Sequence, residues 1–402
     1  MKHVIIGSGA AGIAAAKTIR ANSPTDEIIM LTADESIYSR CLLHMYIGGE
    51  RDVAGISFIP SDFISANNID IRYKTRVTKI DIKNKEVQFK DGSRKYDKLL
   101  IATGSRSFMP QIPGLRKATN VYGLHHLSDA TTIRDKAVSA NNIVILGAGL
   151  VGMDAAYGLI TMGKKPTVVD MANSILASNL DAHASSVYKA KFEEAGTKFC
   201  LGRRVAEVES GASGAVEAVM LDDGTKLACD LLIIAAGITS KSDLADLSGI
   251  KVEKGIVVDT YLQTSVADIF SAGDVTGLSE TWPNAVLQGE TAALNMLGIK
   301  TEYNDTFSAK NTINFFGIPS LSIGEFAPKE GDIEECKESA KGYQKTILRD
   351  GVPVGVILQG DISRSGFWQQ LIKNKVYIAD MKRVSFANAY GLDDDGEYTW
   401  DV

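Results

Sequence analysis

Val4-Ile5-Ile6-Gly7-Ser8-Gly9-Ala10-Ala11-Gly12, running on through the alanine-rich stretch Ile13 to Ala21, decides the fold. The apolar triplet reads as a short buried strand and the alanine-rich stretch as a helix. Between them the glycines fall in the order GxGxxG. Gly7 allows the tight turn, Gly9 lets backbone approach a pyrophosphate, and Gly12 lets the helix lie close on the strand. The helix start, with Ala10 and Ala11 in its first turn, offers free N–H groups and the positive dipole end to phosphate. The same order returns 140 residues later. Ile143-Val144-Ile145-Leu146 leads into Gly147-Ala148-Gly149-Leu150-Val151-Gly152 and a helix-compatible run to Met162. Two fingerprints in one phase predict an α/β chain with two Rossmann-like dinucleotide folds.

Such a fold also wants an acid at the end of its second strand to hold the ribose hydroxyls. Pro166-Thr167-Val168-Val169 ends at Asp170, and no Lys or Arg follows until Lys189. Nothing there awaits a 2′-phosphate, so the reading is NAD(H) in preference to NADP. In the first fold Ile28-Ile29-Met30-Leu31 leads to Thr32, then to Asp34 and Glu35. The expected acid is displaced, and Asp34 is the candidate.

Composition narrows the function classes. A chain of 402 residues predicts two or three domains. Its formal net charge of -6 lacks the basic excess of a nucleic-acid binder. From residue 301 onward there are 11 basic and 16 acidic side chains, so nearly all of the deficit sits in the last quarter, read as a solvated acidic surface. Four cysteines lie far apart with no CxxC, and the pair His125-His126 has no third ligand at metal spacing. Neither a disulfide scaffold nor a metal site is expected. No apolar run reaches the ~18 residues of a membrane span, and the N-terminus enters a strand at once. The expectation is a soluble, cytoplasmic chain.

Three further stretches complete a pattern. They are Tyr96 to Gly104 (ending Ala102-Thr103-Gly104), Leu231 to Gly237, and Thr264 to Asp274 (ending Ala272-Gly273-Asp274). With the two fingerprints, and in this order, they resemble the pyridine nucleotide-disulfide oxidoreductase superfamily of flavoproteins. Tyr38-Ser39-Arg40-Cys41-Leu42-Leu43 and Trp282 to Gly289 resemble its rubredoxin reductase and nitrite reductase flavoprotein branch. The resemblance implies FAD on the first fold and NAD(H) on the second. For FAD it points to Gly7, Gly9, Ala10, Ala11, Gly12, Asp34, Arg40, Val77, Ala102, Thr103, Gly104, Asp274 and Ala285. For NAD(H) it points to Gly147, Gly149, Leu150, Val151, Gly152, Asp154, Asp170 and Gly237. Asp274 would serve the ribityl or pyrophosphate region. The helix after Trp282 would turn its N-terminus to the pyrimidine edge of the flavin, where reduced flavin is anionic.

The implied domains are a discontinuous FAD domain, 1–112 and 240–305, an NAD domain, 113–239, and a small α+β domain, 306–402. In the last, Asp350-Gly351 between two alternating runs signals a hairpin. The implied enzyme is an NAD(P)H-dependent FAD oxidoreductase that transfers hydride to flavin N5. Its partner would be a one-electron iron carrier, whether rubredoxin, ferredoxin or an iron–sulfur subunit, in a homodimer or a larger redox complex.

Cys41 opens an alternative. Relatives with a single cysteine beside the flavin are NADH oxidases, peroxidases and coenzyme A-disulfide reductases, and Cys41, Tyr46 and Gly49 resemble their spacing. Redox work and simple packing against the flavin both fit Cys41. A non-catalytic NADH-sensing flavoprotein is a third reading. The chain has neither the CxxxxC nor the terminal His-Glu dyad of glutathione-reductase-type chemistry. It also departs from the resemblance: Asp154 stands where many relatives have Glu, and Met45, beside His44, where some have Lys. The Lys–Glu pair is therefore missing. His44 reads as a helix-surface histidine or a weak cation near the ring. Gly237 is followed by Ile238-Thr239-Ser240, not the usual Arg-Pro-Asn-like run. Cys200, Cys229 and Cys336 read as core, Trp368 as a core anchor or a partner-facing aromatic, and Gly391 to Glu397 as a docking tail.

Overall fold

The computed structural model describes residues 1–304 and 310–378. The stretch 391–397, with its expected docking tail, lies outside the described residues. Two compact units are present: Met1–Ile175 with Phe192–Asn304, and Leu176–Lys191 with the described residues from Lys310 onward.

The first unit holds two parallel five-stranded sheets. In one, Lys2–Ile6 lies at the centre, with Glu27–Leu31 and then Ile69–Arg72 on one side and Lys98–Ile101 and then Ile269–Ser271 on the other. In the other, Ile143–Leu146 is central, flanked by Thr167–Asp170 and Lys198–Leu201, and by Leu231–Ile234 and Val121–Gly123. The four residues of Ile143–Leu146 and of Leu231–Ile234 are all buried, the unbroken apolar run of a strand covered on both faces. The helices Ala10–Asn22 and Leu150–Thr161 follow the central strands. Each sheet is accompanied by a three-stranded antiparallel sheet, Val77–Lys95 and Val205–Ala228.

Close helix packing needs small residues. A Cβ on Gly289 would sit 2.2 Å from the carbonyl oxygen of Ala11, so only glycine lets the helix Trp282–Met296 lie on Ala10–Asn22. The two nucleotide folds are tied by an antiparallel pair, Ser105–Ser107 with Ile238–Ser240. They are tied again by the short helix Leu43–Ile47. A Cβ on Gly158 would come within 2.6 Å of the His44 carbonyl oxygen, so Leu150–Thr161 meets that helix backbone to backbone. Tyr46 completes the joint: its hydroxyl lies 3.2 Å from Thr131 Oγ1 and the Arg134 guanidinium 4.2 Å from its ring centre.

The second unit is a five-stranded antiparallel sheet in the order Lys310–Phe315, Ile318–Gly324, Val352–Gln359, Gly342–Arg349, Ile333–Ser339. Asp350 and Gly351 join two of its strands with φ of 50° and 76°, the left-handed pair that a two-residue hairpin requires. The helix Ser365–Lys373 covers one face, burying Trp368 with Leu321, Ile323, Val356, Leu358 and Phe367. Trp368 is thus a core anchor, and the partner-facing reading is set aside. Tyr188, whose hydroxyl is 2.8 Å from Ser320 Oγ, and Ala184, whose carbonyl accepts from Gln359 Nε2, bind residues 176–191 to this sheet. That segment therefore packs with the C-terminal unit, although it lies within the 113–239 span expected for the NAD domain. Cys229 is buried, and Cys200 is half-buried against the same core. Cys336 is exposed on the edge strand, which corrects its reading as core. No helix among the described residues is long and apolar enough to cross a membrane.

Candidate active site

The two glycine turns have the same local construction. Gly7 and Gly147 take φ of +114° and +113°, and a Cβ on them would lie 2.2 Å from Ala102 O and 2.3 Å from Ala235 O. On Gly12 and Gly152 a Cβ would meet the carbonyls of Gly7 at 2.1 Å and Gly147 at 1.9 Å. These glycines serve the protein's own packing. The middle glycines differ. Nothing lies within 4 Å of a Cβ on Gly149, and near Gly9 there is only Arg40 Nη1 at 3.4 Å. Gly9 and Gly149 cap their helices in extended conformation with no side-chain hydrogen bond. The first-turn N–H groups, from Ala10, Ala11, Leu150 and Val151, are left for an anion.

The second-strand acids are decided by register. Gly7 N donates to Leu31 O at 2.9 Å, and Gly147 N to Val169 O at 2.8 Å, so Thr32 and Asp170 occupy equivalent places. Asp170 Oδ2 accepts from Ala148 N at 2.6 Å and Oδ1 from Ala172 N at 2.7 Å. Its carboxylate braces the turn. Thr32 instead pairs with Ser8, hydroxyl to hydroxyl, at 2.9 Å. Asp34 lies two residues beyond, held by Arg40 Nη2 at 3.3 Å, His126 Nδ1 at 3.3 Å and the Tyr38 hydroxyl at 3.2 Å. Burial alone would raise its carboxyl, but His126, Arg40 and Tyr38 together hold it below the ordinary value.

Arg40 supplies the test for a phosphate-bearing group. Its Nε is buried without a hydrogen-bond partner, and its Nη1 stands over Gly9. A bound pyrophosphate would satisfy that donor, so these residues fit FAD. Asp274 follows Gly273, whose φ is +83° and whose N–H donates to Gln288 Oε1 at 2.8 Å. The Asp274 carboxylate accepts from Ser105 Oγ at 2.8 Å, and burial raises its pKa. Thr103 donates to Lys241 O, while Gly104, with φ of +70°, and Gly237, with φ of +111°, have open space at the Cβ position. Ala285 is buried near the start of its helix. Val77 is buried among Ile80, Val87 and Phe89, with its side chain directed to that core.

Leu43, His44, Arg40, His125, Val151 and Asp154 enclose a cavity of about 50 Å³. Arg40 belongs to the first glycine turn's surroundings and Val151 to the second turn itself. Cys41 lies in the adjoining turn Arg40–Leu42. Its side chain reaches solvent, yet burial among its neighbours, with the Asp154 and Asp274 carboxylates, pushes its thiol up despite Ser39 and Arg40. That is the opposite of an activated thiolate. His44 is buried, which corrects its reading as a surface histidine. Burial, and then Arg51, push its pKa down to about 4, so it is not a cation at neutral pH either. Its Nδ1 lies 3.4 Å from Asp154 Oδ1, and burial lifts the Asp154 carboxyl to about 8.

The sequence comparisons agree with this construction. Residues 1–289 match the family described as pyridine nucleotide-disulphide oxidoreductase. The chain belongs to that family. Residues 310–376 match the rubredoxin NAD+ reductase C-terminal domain. The chain is 30% identical to the epsilon subunit of NADH-dependent phenylglyoxylate dehydrogenase of Aromatoleum evansii, over 96% of this chain and 95% of that one. It is 29% identical to nitrite reductase [NAD(P)H] of Bacillus subtilis (strain 168), over 95% of this chain but only 48% of that protein, about half its length. Among solved structures, putidaredoxin reductase in its covalent complex with putidaredoxin superposes with a TM-score of 0.82 at 26% identity, over 94% of each chain.

This pyridine nucleotide-disulphide oxidoreductase is an NAD(P)H-dependent flavin enzyme whose cofactors are FAD and NAD(H). Met45 stands at the position where some relatives have Lys, and it is its neighbour His44 that lies against Asp154, a contact that the sequence does not announce. His125 is a further site residue that sequence reasoning misses. It lines the cavity, and burial, with Arg40, pushes its pKa down to about 3. No motif or spacing marks His125, because it reaches the cavity from a separate segment and only tertiary packing brings it there.

Proposed function

We propose that this chain takes hydride from NADH on its second fold to FAD on its first and passes the electrons singly to an iron carrier. The carrier is a rubredoxin, a ferredoxin or an iron–sulfur subunit of a larger complex. One observation carries the reading: two cradles built alike, each open only at its middle glycine, share a cavity to which Arg40 contributes from one side and Val151 from the other. FAD, when bound, accepts electrons in pairs and releases them one at a time. The chain's part is placement. Gly9 and Arg40 take the pyrophosphate, Asp170 fixes the ribose of NAD(H), and the small cavity keeps water from the reacting edges. The carrier is supported by the C-terminal match to a rubredoxin NAD+ reductase domain and by the likeness to putidaredoxin reductase. A place within an assembly is supported by the likeness to a dehydrogenase epsilon subunit. Four free cysteines suit the reducing cytoplasm.

Anaerobic stopped-flow mixing with NADH, followed by a panel of rubredoxin, ferredoxin, oxygen, peroxide and coenzyme A disulfide, tests the proposal. The expected result is rapid flavin bleaching, fastest reoxidation by an iron carrier, and unchanged rates in Cys41→Ser. Faster reoxidation by peroxide or disulfide, abolished in Cys41→Ser, would transfer the function to the thiol. Bleaching over minutes in the wild type would leave an NADH-sensing flavoprotein.

A further inference from the structure

His125 lines the cavity shared by the two cradles, and the groups behind its ring decide what it offers there. Ser105, buried in the strand pair that ties the two folds, is the first of them. Its hydroxyl donates to Asp274 Oδ2 at 2.8 Å, and the same oxygen is hydrogen-bonded to His125 Nε2 at 3.4 Å. A hydroxyl has one proton to give, and an ionised carboxylate can only accept. The proton of Ser105 therefore goes to Asp274, and its oxygen meets His125 as an acceptor. Nε2 must then hold the imidazole proton, which leaves Nδ1 with a lone pair.

The ring is held on other sides as well. The backbone N–H of His125 donates to Asp129 Oδ2 at 3.0 Å, and the His126 ring stands edge-on to it with centres 5.1 Å apart. His126 is itself engaged by Asp34, 3.3 Å away. No hydrogen bond among the described residues occupies His125 Nδ1. The cavity thus has two different polar walls. Arg40 brings a charged donor suited to phosphate, and His125 brings a neutral acceptor, whose lone pair repels phosphate oxygen.

Taking as its basis the reading that both cofactors meet at this cavity, we propose that His125 Nδ1 is a fixed acceptor for an N–H or O–H donor of a bound cofactor, with Ser105 as the residue that positions it. Two groups have that chemistry, the ribityl hydroxyls of FAD and the carboxamide of the nicotinamide. The chain Asp274, Ser105, His125 draws its members from three separate segments. Asp274 lies in the loop after Ile269–Ser271, Ser105 in the strand pair and His125 in the stretch before the helix Leu127–Ser139. An imidazole without Ser105 behind it could present either nitrogen as donor or acceptor. The hydroxyl removes that choice, so recognition at His125 is directional.

Nitrogen-15 NMR of histidine-labelled protein at neutral pH reads the tautomer directly. The chain has five histidines, so a His125→Gln variant assigns the signal. The expected ring is neutral with its proton on Nε2. Ser105→Thr keeps that tautomer, and Ser105→Ala gives an average of the two. Should Ser105→Ala fail to fold, wild type and Ser105→Thr decide the matter. The Nδ1 resonance then identifies the donor. FAD added to the apoprotein tests the ribityl hydroxyls. NAD+ added to FAD-loaded protein tests the carboxamide, with the 3-acetylpyridine analogue of NAD+, which keeps the charged ring but has no amide N–H, run beside it. A shift with FAD, or with NAD+ but not its analogue, supports the inference and names the source. His125→Leu should weaken that cofactor by roughly three- to tenfold, the worth of one neutral hydrogen bond. A proton on Nδ1 (the chain reversed, with Asp274 protonated), a charged ring, or an Nδ1 resonance that neither cofactor moves overturns the inference and leaves the hydride reading standing. Failure of wild type to bind either cofactor overturns the reading of the cradles, and the inference with it.

Discussion

A glycine in either cradle does one of two jobs, and the space beside its α-carbon tells which. Gly152 has a carbonyl 1.9 Å from where a Cβ would stand, whereas Gly149 has nothing within 4 Å. Gly152→Ala should therefore destabilise the fold by at least the ~1–3 kcal/mol of an overpacked core, seen as a lower thermal midpoint. Gly149→Ala should leave that midpoint unchanged and weaken NAD(H), as binding titrations would register. Gly9→Val puts a branched side chain where pyrophosphate must approach, so the purified variant should lose the yellow colour of bound flavin. Retention of tight FAD would remove the first cradle from its assigned role. Asp170→Ala takes the acceptor from two backbone N–H groups and, on the proposed reading, from the ribose of NAD(H). NADH affinity should fall by roughly one to two orders of magnitude, about 1–3 kcal/mol, with FAD content unchanged.

At the scale of elements, the short helix Leu43–Ile47 governs the meeting of the two folds. It carries His44 and lies against the helix that carries Asp154, with Gly158 as the point of contact. Gly158→Leu would force a side chain against the His44 carbonyl, 2.6 Å from even the first added carbon. The two helices must separate, which widens the cavity without touching either glycine turn. The expected variant still binds FAD and NADH but reduces its flavin at least tenfold more slowly in stopped-flow, because a misplacement of about 1 Å costs that much or more. Equal rates would mean that this joint does not set the hydride geometry.

At the scale of the molecule, each unit carries its own core, and charge organises part of the second. Arg349 forms a two-point contact with Glu325 at 2.8 and 2.9 Å and another with Asp332 at 2.9 Å on both arms. Arg349 and then Lys329 hold the Glu325 carboxyl down at about 2, against burial, which opposes them. A carboxyl whose folded pKa lies below its unfolded value stabilises the fold above the unfolded value, about 4.5. That contribution is lost as pH falls through the interval down to about 2. Glu325→Gln should thus unfold at lower temperature than wild type at pH 7, and the two should converge at pH 2. Glu325 is 37% exposed, so the difference should be at most about 1 kcal/mol, and salt should shrink it.

The sequence by itself determined the two nucleotide folds, their order, the acid of the second and the hairpin at Asp350-Gly351. Those features are local: a buried strand, a glycine turn and a helix start all lie within about fifteen consecutive residues, so spacing alone specifies them. Tertiary structure decided the rest. Thr32 rather than an acid occupies the first fold's equivalent of Asp170, because strand register, set by Gly7 and Gly147, fixes which residue faces the turn. Residues 176–191 join the C-terminal sheet through Tyr188, whose partner lies 132 residues away. His44 and Asp154 meet because two glycine-bearing segments let their backbones touch. A contact between distant segments leaves no periodic trace in either one, and its chemistry exists only once the packing has brought the two groups together.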